Sequence, residues 1–426
     1  MTGTLLVLLL AAQPSRAAGV PETVLSLEDA QRLALLNDAR FLSAQQDKII
    51  AAERVKEAEY LFLPEFGLQA SATKYEARYP FSTASDFRNI LLFPSNSGYG
   101  TDTGNVYSGR GYMQMPLYEG GKTLNTLRLT QAAQKQANSN LESVRLDLLL
   151  SVQEVFYRLI LAQEKLSACE RQLAESQELF EKGRLDAWER LEAEAGLGEA
   201  RSRAAEARHE LDLSRLAFMK SINIELDTPF RVVGELKTQA VDVDVEKAAL
   251  WAIELRPELQ SETYKAQMDS IAVNLAAARR IPTVFVGGDY ELTAESFPLR
   301  QNNWDASIGV KVPFSYDYWS QLRQKRAEQR QGQIKRAELQ DRVRLEVHQA
   351  CETLQYWQKE WPLREAQYRK VSGLYDEASR QGGQPLSKHR ATTAVLNLRL
   401  SYLAAVTEHI LARARLERAV GRSLEP

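Results

Sequence analysis

The sequence predicts a mainly α-helical protein made of two copies of one structural half, each with long coiled-coil helices and two β-strands. Three observations predict this fold: an internal repeat, helical patterns too long for a compact globule, and short runs of strict alternation. The first repeat is expected over residues 18–243 and the second over residues 244–426. Together the two repeats would form one intertwined domain.

The internal repeat is marked by helix starts and prolines that recur at a constant spacing. One helical segment opens at Ser26 and ends at Pro64, and another opens at Asp244 and ends at Pro282; both ends are offset by 218 residues (244 − 26 and 282 − 64). In each half an alternating run, a loop and a second alternating run come next. A very long helix, a short break and a shorter helix follow. A period of about 200 residues is too long for a solenoid unit and indicates duplication of one half.

The two longest helices are predicted over residues 122–182 and 319–380, and the four shorter helices at about 35–38 residues each. At 1.5 Å per residue each long helix would extend about 90 Å. The second contains Pro362, which is expected to kink it. In the first, apolar residues at steps of three and four form one narrow seam: Leu141, Val144, Leu148, Val152, Val155, Leu159, Ala162, Leu166, Cys169 and Leu173. The corresponding seam of the second comprises Val343, Val347, Ala350, Leu354 and Trp357.

Four alternating runs predict strands at about residues 65–78, 104–116, 283–293 and 303–313. Alternation over about ten residues fits half-buried strands, and also tilted membrane strands with lipid on one side and water on the other. Four strands cannot close a barrel, and lipid does not tolerate an open sheet edge. If the strands are transmembrane, several chains must share one barrel.

The charge balance argues against nucleic-acid binding, and the N-terminal segment indicates export. The net charge is −2 and the sequence pI is about 6.2, which is not the electrostatic signature of a nucleic-acid-binding protein. An apolar run over residues 5–12 is followed by Ser15 and Ala17, small residues at the −3 and −1 positions of a signal cleavage site. Residues 1–17 are therefore predicted to be a signal peptide, although no Lys or Arg precedes the apolar run.

No catalytic, cofactor-binding or metal site is predicted, so the protein is not expected to be an enzyme. Cys169 and Cys351 fall inside helical patterns and are predicted to be buried thiols without a disulfide partner. His348 lies three residues before Cys351, which alone is a weak metal-binding pattern. The Gly-Lys-Thr segment that starts at Gly121 is not a phosphate-binding loop, because that motif needs a glycine where Pro116 stands.

These motifs, in this order, resemble the outer-membrane efflux protein (TolC) family over nearly the whole chain, from about residue 25 to residue 421. The resemblance rests on a first helix at Leu25–Asn37, a junction at Leu61–Pro64, a hinge at Met115–Gly121 and a returning helix at Ala391–Tyr402. After the first tip, Glu189, Leu191 and Ala193 stand where the family commonly has an Asp, a Leu and an Ala. The second hinge lacks the glycine pair, and the second tip departs from the pattern.

The resemblance implies a homotrimer in the outer membrane of a Gram-negative bacterium, with a large periplasmic portion. Helical hairpins would form an α-barrel, and three chains with four strands each would form one 12-stranded barrel in outer-membrane lipid. The protein would be the exit duct of a tripartite efflux or type I secretion system, with a periplasmic adaptor (membrane fusion) protein and an inner-membrane transporter as partners. A periplasmic coiled-coil adaptor or a structural scaffold is the alternative. An adaptor would have one hairpin per chain, and a scaffold leaves the strands unexplained.

The resemblance also implies two groups of functional residues. Tips are expected at about residues 183–187 and 381–387, and an equatorial linker at residues 223–243. Asp186, with Glu189 three residues later, and Ser387, after Pro385, could each cap a returning helix. Helix capping and contact with the adaptor can hold together. In a trimer, acidic residues at a tip would form a ring that favours cations. The tip residues expected to meet the adaptor are Gly183, Asp186, Glu189, Leu191, Gly382, Gly383 and Ser387, and the strand–helix hinges are Pro64, Pro116, Gly120, Gly121, Pro282 and Pro313.

Overall fold

The computed structural model describes residues 23–77, 102–182, 187–225, 228–294, 296–381 and 385–423, so the predicted signal peptide lies outside the described residues. Within these ranges no helix is both long enough and apolar enough to cross a membrane. The helices are α1 (Leu27–Asn37), α2 (Ala39–Tyr60), α3 (Lys122–Lys182), α4 (Ala187–Ile222), α5 (Val245–Leu255), α6 (Pro257–Ala278), α7 (Tyr318–Gln381) and α8 (Pro385–Val420). The strands are β1 (Thr23–Leu25), β2 (Glu65–Ala77), β3 (Asp102–Tyr118), β4 (Phe230–Val232), β5 (Thr283–Ala294) and β6 (Gln301–Lys311).

The helices start where the repeat predicts, but two of them are shorter than expected. Ser26 caps α1 in a capping box with Asp29, and Asp244 caps α5. The prediction of unbroken helices of about 35–38 residues was wrong for the first helix of each half. Asp38 adopts an extended conformation and accepts hydrogen bonds from two amide groups at the start of α2. Arg256 is extended because Pro257 follows it, which disfavours helical backbone.

The described residues form two compact units, and the first comprises residues up to 45, residues 141–257 and residues from 340 onwards. Its core contains Phe156, Phe218 and Phe230, with the Phe218 ring 6.2 Å from Phe156 and 5.3 Å from Phe230 between centroids. The predicted seam of α3 is confirmed: its residues from 148 to 169 include the most deeply buried side chains of that helix, and the rest pack partly buried beside them. A short parallel sheet pairs β1 with β4, and β4 falls within residues 223–243, the predicted linker. Sequence analysis missed this sheet, because three-residue strands are too short to show alternation.

The predicted apolar seam of α7 is also mostly buried. Val343, Val347 and Leu354 are buried, with Cys351 buried where the sequence indicated Ala350. Pro362 lies inside α7, which continues on both sides of it, and the kink stays a prediction.

Both cysteines are free and buried, as predicted. Burial raises the pKa of both thiols, which keeps them protonated. His348 is exposed, whereas Cys351 faces the core. No group of three metal-ligating side chains occurs among the described residues.

The second unit, residues 46–140 and 258–339, contains a four-stranded antiparallel sheet in the order β2-β3-β5-β6. The four predicted strands are confirmed, with β3 extended at both ends. Two cross-strand pairs place an aromatic ring over a glycine, Tyr112 over Gly67 and Phe285 over Gly309. A side chain at either glycine would occupy the space of the ring, so glycine allows the aromatic to cover the sheet.

The sheet has one apolar and one polar face, as the alternation predicted. The polar face carries Arg110, Asp289 and Asp305, and the Arg110 guanidinium donates to Asp289 over 2.7 Å. Asp289 and Asp305 are direct cross-strand partners. The apolar face is exposed in the single chain and includes Phe66, Leu68, Tyr290, Trp304, Ile308 and Val310.

Candidate functional site

The predicted hinges lie at one end of the four-stranded sheet. The registers Tyr118↔Val284 and Thr283↔Lys311 place the end of β3, the start of β5 and the end of β6 side by side. Pro116 lies within β3 rather than after it, at a register shift. This agrees with proline's inability to donate a ladder hydrogen bond. The remaining predicted hinges lie just outside the strands at this end: Pro64, Gly120, Gly121, Pro282 and Pro313.

The glycine pair of the first hinge is required by backbone conformation and by contact. Gly120 and Gly121 have φ angles of +62° and +80°, a region that favours glycine. A Cβ atom on Gly120 would lie 2.5 Å from the Cβ atom of Ile281, beside the hinge of the second repeat. Gly121 faces a more open space, with the Asn125 amide nitrogen 3.7 Å from its virtual Cβ atom. The hinge at Gly120 is therefore packed against the hinge at Pro282 through Ile281.

The second hinge has Asp317 directly before its helix, α7. Asp317 accepts the first helical hydrogen bond from the Gln321 amide at 2.9 Å. Its carboxylate accepts hydrogen bonds from the side chains of Ser315 and Gln321. A hydrogen-bonded aspartate thus stands directly before α7, where the first repeat has Gly121 directly before α3.

The extreme tips are only partly described. Gly183, Asp186, Gly382 and Gly383 lie outside the described residues. Glu189 lies in the first turn of α4, and Leu191 is 59% exposed on the same helix. The hypothesis that Ser387 caps the returning helix was wrong, because α8 begins at Pro385 and Ser387 is exposed inside its first turn.

Proline is favoured at the first position of a helix, where its missing N–H group is not needed. This preference accounts for the earlier start of α8. The role of the tip residues in adaptor docking stays a prediction.

Beside the tips, a polar cluster joins α3 to α8, and we call Gln172, Ser176, His389 and Thr393 the tip cluster. The Gln172 amide nitrogen donates to the Thr393 hydroxyl over 2.8 Å, and the Ser176 hydroxyl donates to the Gln172 carbonyl over 2.8 Å. The Ser176 hydroxyl proton is thereby used, so Nδ1 of His389, 3.2 Å away, is the donor to Ser176. Gln172 and Ser176 are both buried.

A glycine and an ion pair hold α4 against this cluster. A Cβ atom on Gly196 would lie 2.6 Å from Nε2 of His389, so the imidazole packs directly on the helix backbone. One turn earlier Glu192 pairs with Arg390. Sequence analysis missed these residues, although there was a signal: Gln172 and Ser176 continue the three–four spacing of the seam from Cys169 with polar side chains.

The family model of outer membrane efflux proteins matches residues 30–224. This match confirms the resemblance seen in the sequence and agrees with the predicted outer-membrane location. No match was found among curated protein sequences.

The fold of the whole chain is that of outer membrane efflux channels. The Campylobacter jejuni CmeC outer membrane channel superposes with a TM-score of 0.79 at 15% identity, covering 94% of this chain and 86% of CmeC. VceC from Vibrio cholerae gives 0.76 at 16% identity, covering 94% and 97% of the two chains. The open state of MtrE from Neisseria gonorrhoeae gives 0.75 at 16% identity, covering 94% and 89%. The second repeat therefore shares the fold of these channels, although the family model matches residues of the first repeat alone.

Proposed function

We propose that this efflux protein is a passive exit duct, a homotrimer whose strands form one 12-stranded barrel in the outer membrane. It serves a tripartite efflux or type I secretion system and receives substrate from a periplasmic adaptor and an inner-membrane transporter. The chain itself carries out no covalent chemistry.

The sheet of the second unit is the observation that carries this proposal. Within the described residues β2 pairs only with β3 and β6 pairs only with β5, so both edges keep unpaired backbone groups. One face of the same sheet is apolar and exposed. Lipid covers the apolar face, and the edges then need partners, which further copies of the chain supply.

The polar face of the sheet supports a water-filled lumen. Arg110, Asp289 and Asp305 share this face, and their ion pair would be costly in contact with lipid. A lumen lined by charged and hydroxyl side chains conducts polar solutes without a dedicated binding site.

The direct test is conductance in planar bilayers, combined with the mass of the detergent-solubilised protein. We expect stepwise channel currents and a mass of three chains. A monomer in detergent, or a purified protein that never conducts even after its tip acids are neutralised, would contradict the proposal.

A matched pair on β6 tests which face meets lipid. Ile308 is 74% exposed on the apolar face, and its neighbour Ser307 points to the polar face. Ile308→Lys should destabilise the membrane-inserted protein by about 2–4 kcal/mol per chain, as expected for a lysine near the bilayer midplane. Ser307→Lys should insert normally and change only conductance. Equal effects of the two variants on heat-induced unfolding in bilayers would disprove the assignment of faces.

A further inference from the structure

A basic and aromatic cluster lies at the hinge end of the four-stranded sheet and has no role in the proposed duct. The Arg280 guanidinium lies near two rings at the start of α7, 5.2 Å from the Tyr318 centroid and 5.6 Å from the Trp319 centroid. Such cation–π contacts hold a guanidinium in place while leaving N–H groups free to donate. The cluster therefore presents an oriented cation.

The cation is available to an external ligand. Arg280 is exposed, and among the described residues no carboxylate lies within ion-pair distance of it. Asp317, the acid nearest in sequence to the two rings, accepts hydrogen bonds from Ser315 and Gln321. An anion with several acceptor oxygens would meet unused donors on Arg280.

The surroundings of Arg280 indicate an amphipathic anion. Phe314 and Tyr316 lie beyond the end of β6 with ring centroids 5.6 Å apart, and Tyr316 is 94% exposed. Trp319 is 57% exposed. Val310 on the apolar face, Val312 and Phe314 occupy successive alternate positions, all exposed, so apolar surface continues from the sheet to the rings. Exposed aromatics at the end of an apolar strand face are typical of a membrane–water interface.

The length of the strand places the cluster at the depth of lipid headgroups. β6 has 11 residues, which at about 3.3 Å per residue and a tilt of about 45° cover about 26 Å along the membrane normal. That height is close to the apolar band of a membrane barrel, about 25 Å. When the strands cross the hydrocarbon core, the hinge end lies at one headgroup layer.

We propose that Arg280, Tyr318 and Trp319 form a binding site for the phosphate headgroup of an anionic phospholipid. Arg280 donates to the phosphodiester oxygens, and the aromatic rings and Phe314 lie against the glycerol and upper acyl chains. The proposal rests on the proposed membrane duct and adds a lipid site to it. We assign a lipid rather than a free anion as the ligand, because the exposed apolar surface is continuous with the Arg280 cation.

The test uses the full-length protein purified in detergent, with lipids exchanged for defined phosphatidylglycerol or phosphatidylcholine. Retained lipid is counted by native mass spectrometry, and affinity is measured from lipid-dependent thermal stabilisation. We expect phosphatidylglycerol to be retained in preference to phosphatidylcholine. Arg280→Gln should lower the apparent affinity for phosphatidylglycerol about fivefold, the effect of one cation near a membrane surface. Arg330→Gln, an exposed arginine on α7 away from the rings, is the matched control and should bind as the wild type.

A double variant of the two rings, inorganic phosphate and conductance distinguish the possible results. Tyr318→Leu combined with Trp319→Leu keeps apolar bulk but removes the cation–π contacts, and should weaken phosphatidylglycerol binding with Arg280 intact. Equal retention of both lipids, no loss in Arg280→Gln, or equal stabilisation by inorganic phosphate alone would each overturn the lipid site. Wild-type conductance in planar bilayers with no lipid preference refutes only this site, whereas absence of conductance refutes the duct.

Discussion

The contact between the two hinges can be tested by adding a single methyl group. Gly120→Ala places a Cβ atom 2.5 Å from the Cβ atom of Ile281, and the residue keeps a φ of +62°. Gly121→Ala imposes similar backbone strain at φ +80° but has no comparable clash. The two neighbouring positions therefore separate conformational strain from packing.

The expected losses of stability follow from the backbone strain and from the packing clash. A left-handed conformation costs a residue with a side chain about 1–2 kcal/mol. Gly121→Ala should lose that amount of stability. Gly120→Ala should lose an additional 1–3 kcal/mol, roughly the cost of overpacking, because the β-branched Ile281 side chain meets the new methyl group close to the backbone.

Heat-induced unfolding of the purified protein, followed by circular dichroism, measures both variants. Combining Gly120→Ala with Ile281→Gly removes the clash, because glycine has no Cβ atom at position 281, and should bring the difference from Ile281→Gly alone close to the cost of Gly121→Ala. If Gly120→Ala and Gly121→Ala are equally destabilised, or if truncating Ile281 gives no recovery, the hinges are not packed through this glycine.

Three other predictions address the first unit. Burial lowers the pKa of His409, so the unfolded chain binds a proton at a higher pH than the folded chain does. Stability should therefore be constant above the ordinary histidine pKa of about 6.5. Below that pH, stability should fall by up to about 1.4 kcal/mol per pH unit, until the pH reaches the lowered folded-state pKa. His409→Gln should flatten this dependence in unfolding measured from pH 7.5 to 5.5, about the range of histidine titration. Phe156→Ala should cost about 3–5 kcal/mol in equilibrium unfolding, and the exposed Leu213→Ala less than about 0.5 kcal/mol; similar losses would contradict the core assignment. Gly198→Ala, with open space around its new methyl group, should stabilise α4 by about 1 kcal/mol. Gly196→Ala should gain nothing, because it displaces the histidine of the tip cluster, and an equal gain would show that this contact is dispensable.

Much of the fold could be predicted because long elements carry strong periodic signals. The seam and the flanking glycines located α3 to within a residue. The break at Arg256 had a signal in the proline that follows it, but helical periodicity on both sides masked that signal. Asp38 was harder to recognise, since a capping aspartate has the same appearance as a surface aspartate until the backbone is known.

The candidate site was less predictable, because its contacts join distant parts of the chain. His389 meets Ser176 across 213 residues, and nothing in either helix identifies the other partner. The seam of α3 was expected to be apolar throughout, so buried Gln172 was assigned no role. Hinge glycines could be predicted because positive φ angles limit the choice of residue locally.

The small parallel sheet has a consequence for the order of folding. It pairs Val24 with Arg231, residues 207 positions apart (231 − 24). Closing a segment of that length costs about 3 kcal/mol more chain entropy than closing a ten-residue loop. The three residue pairs of this sheet alone do not offset that entropy cost, so the helices between β1 and β4 must pack first. The earliest strand to emerge from the ribosome is thus expected to reach its native place among the last.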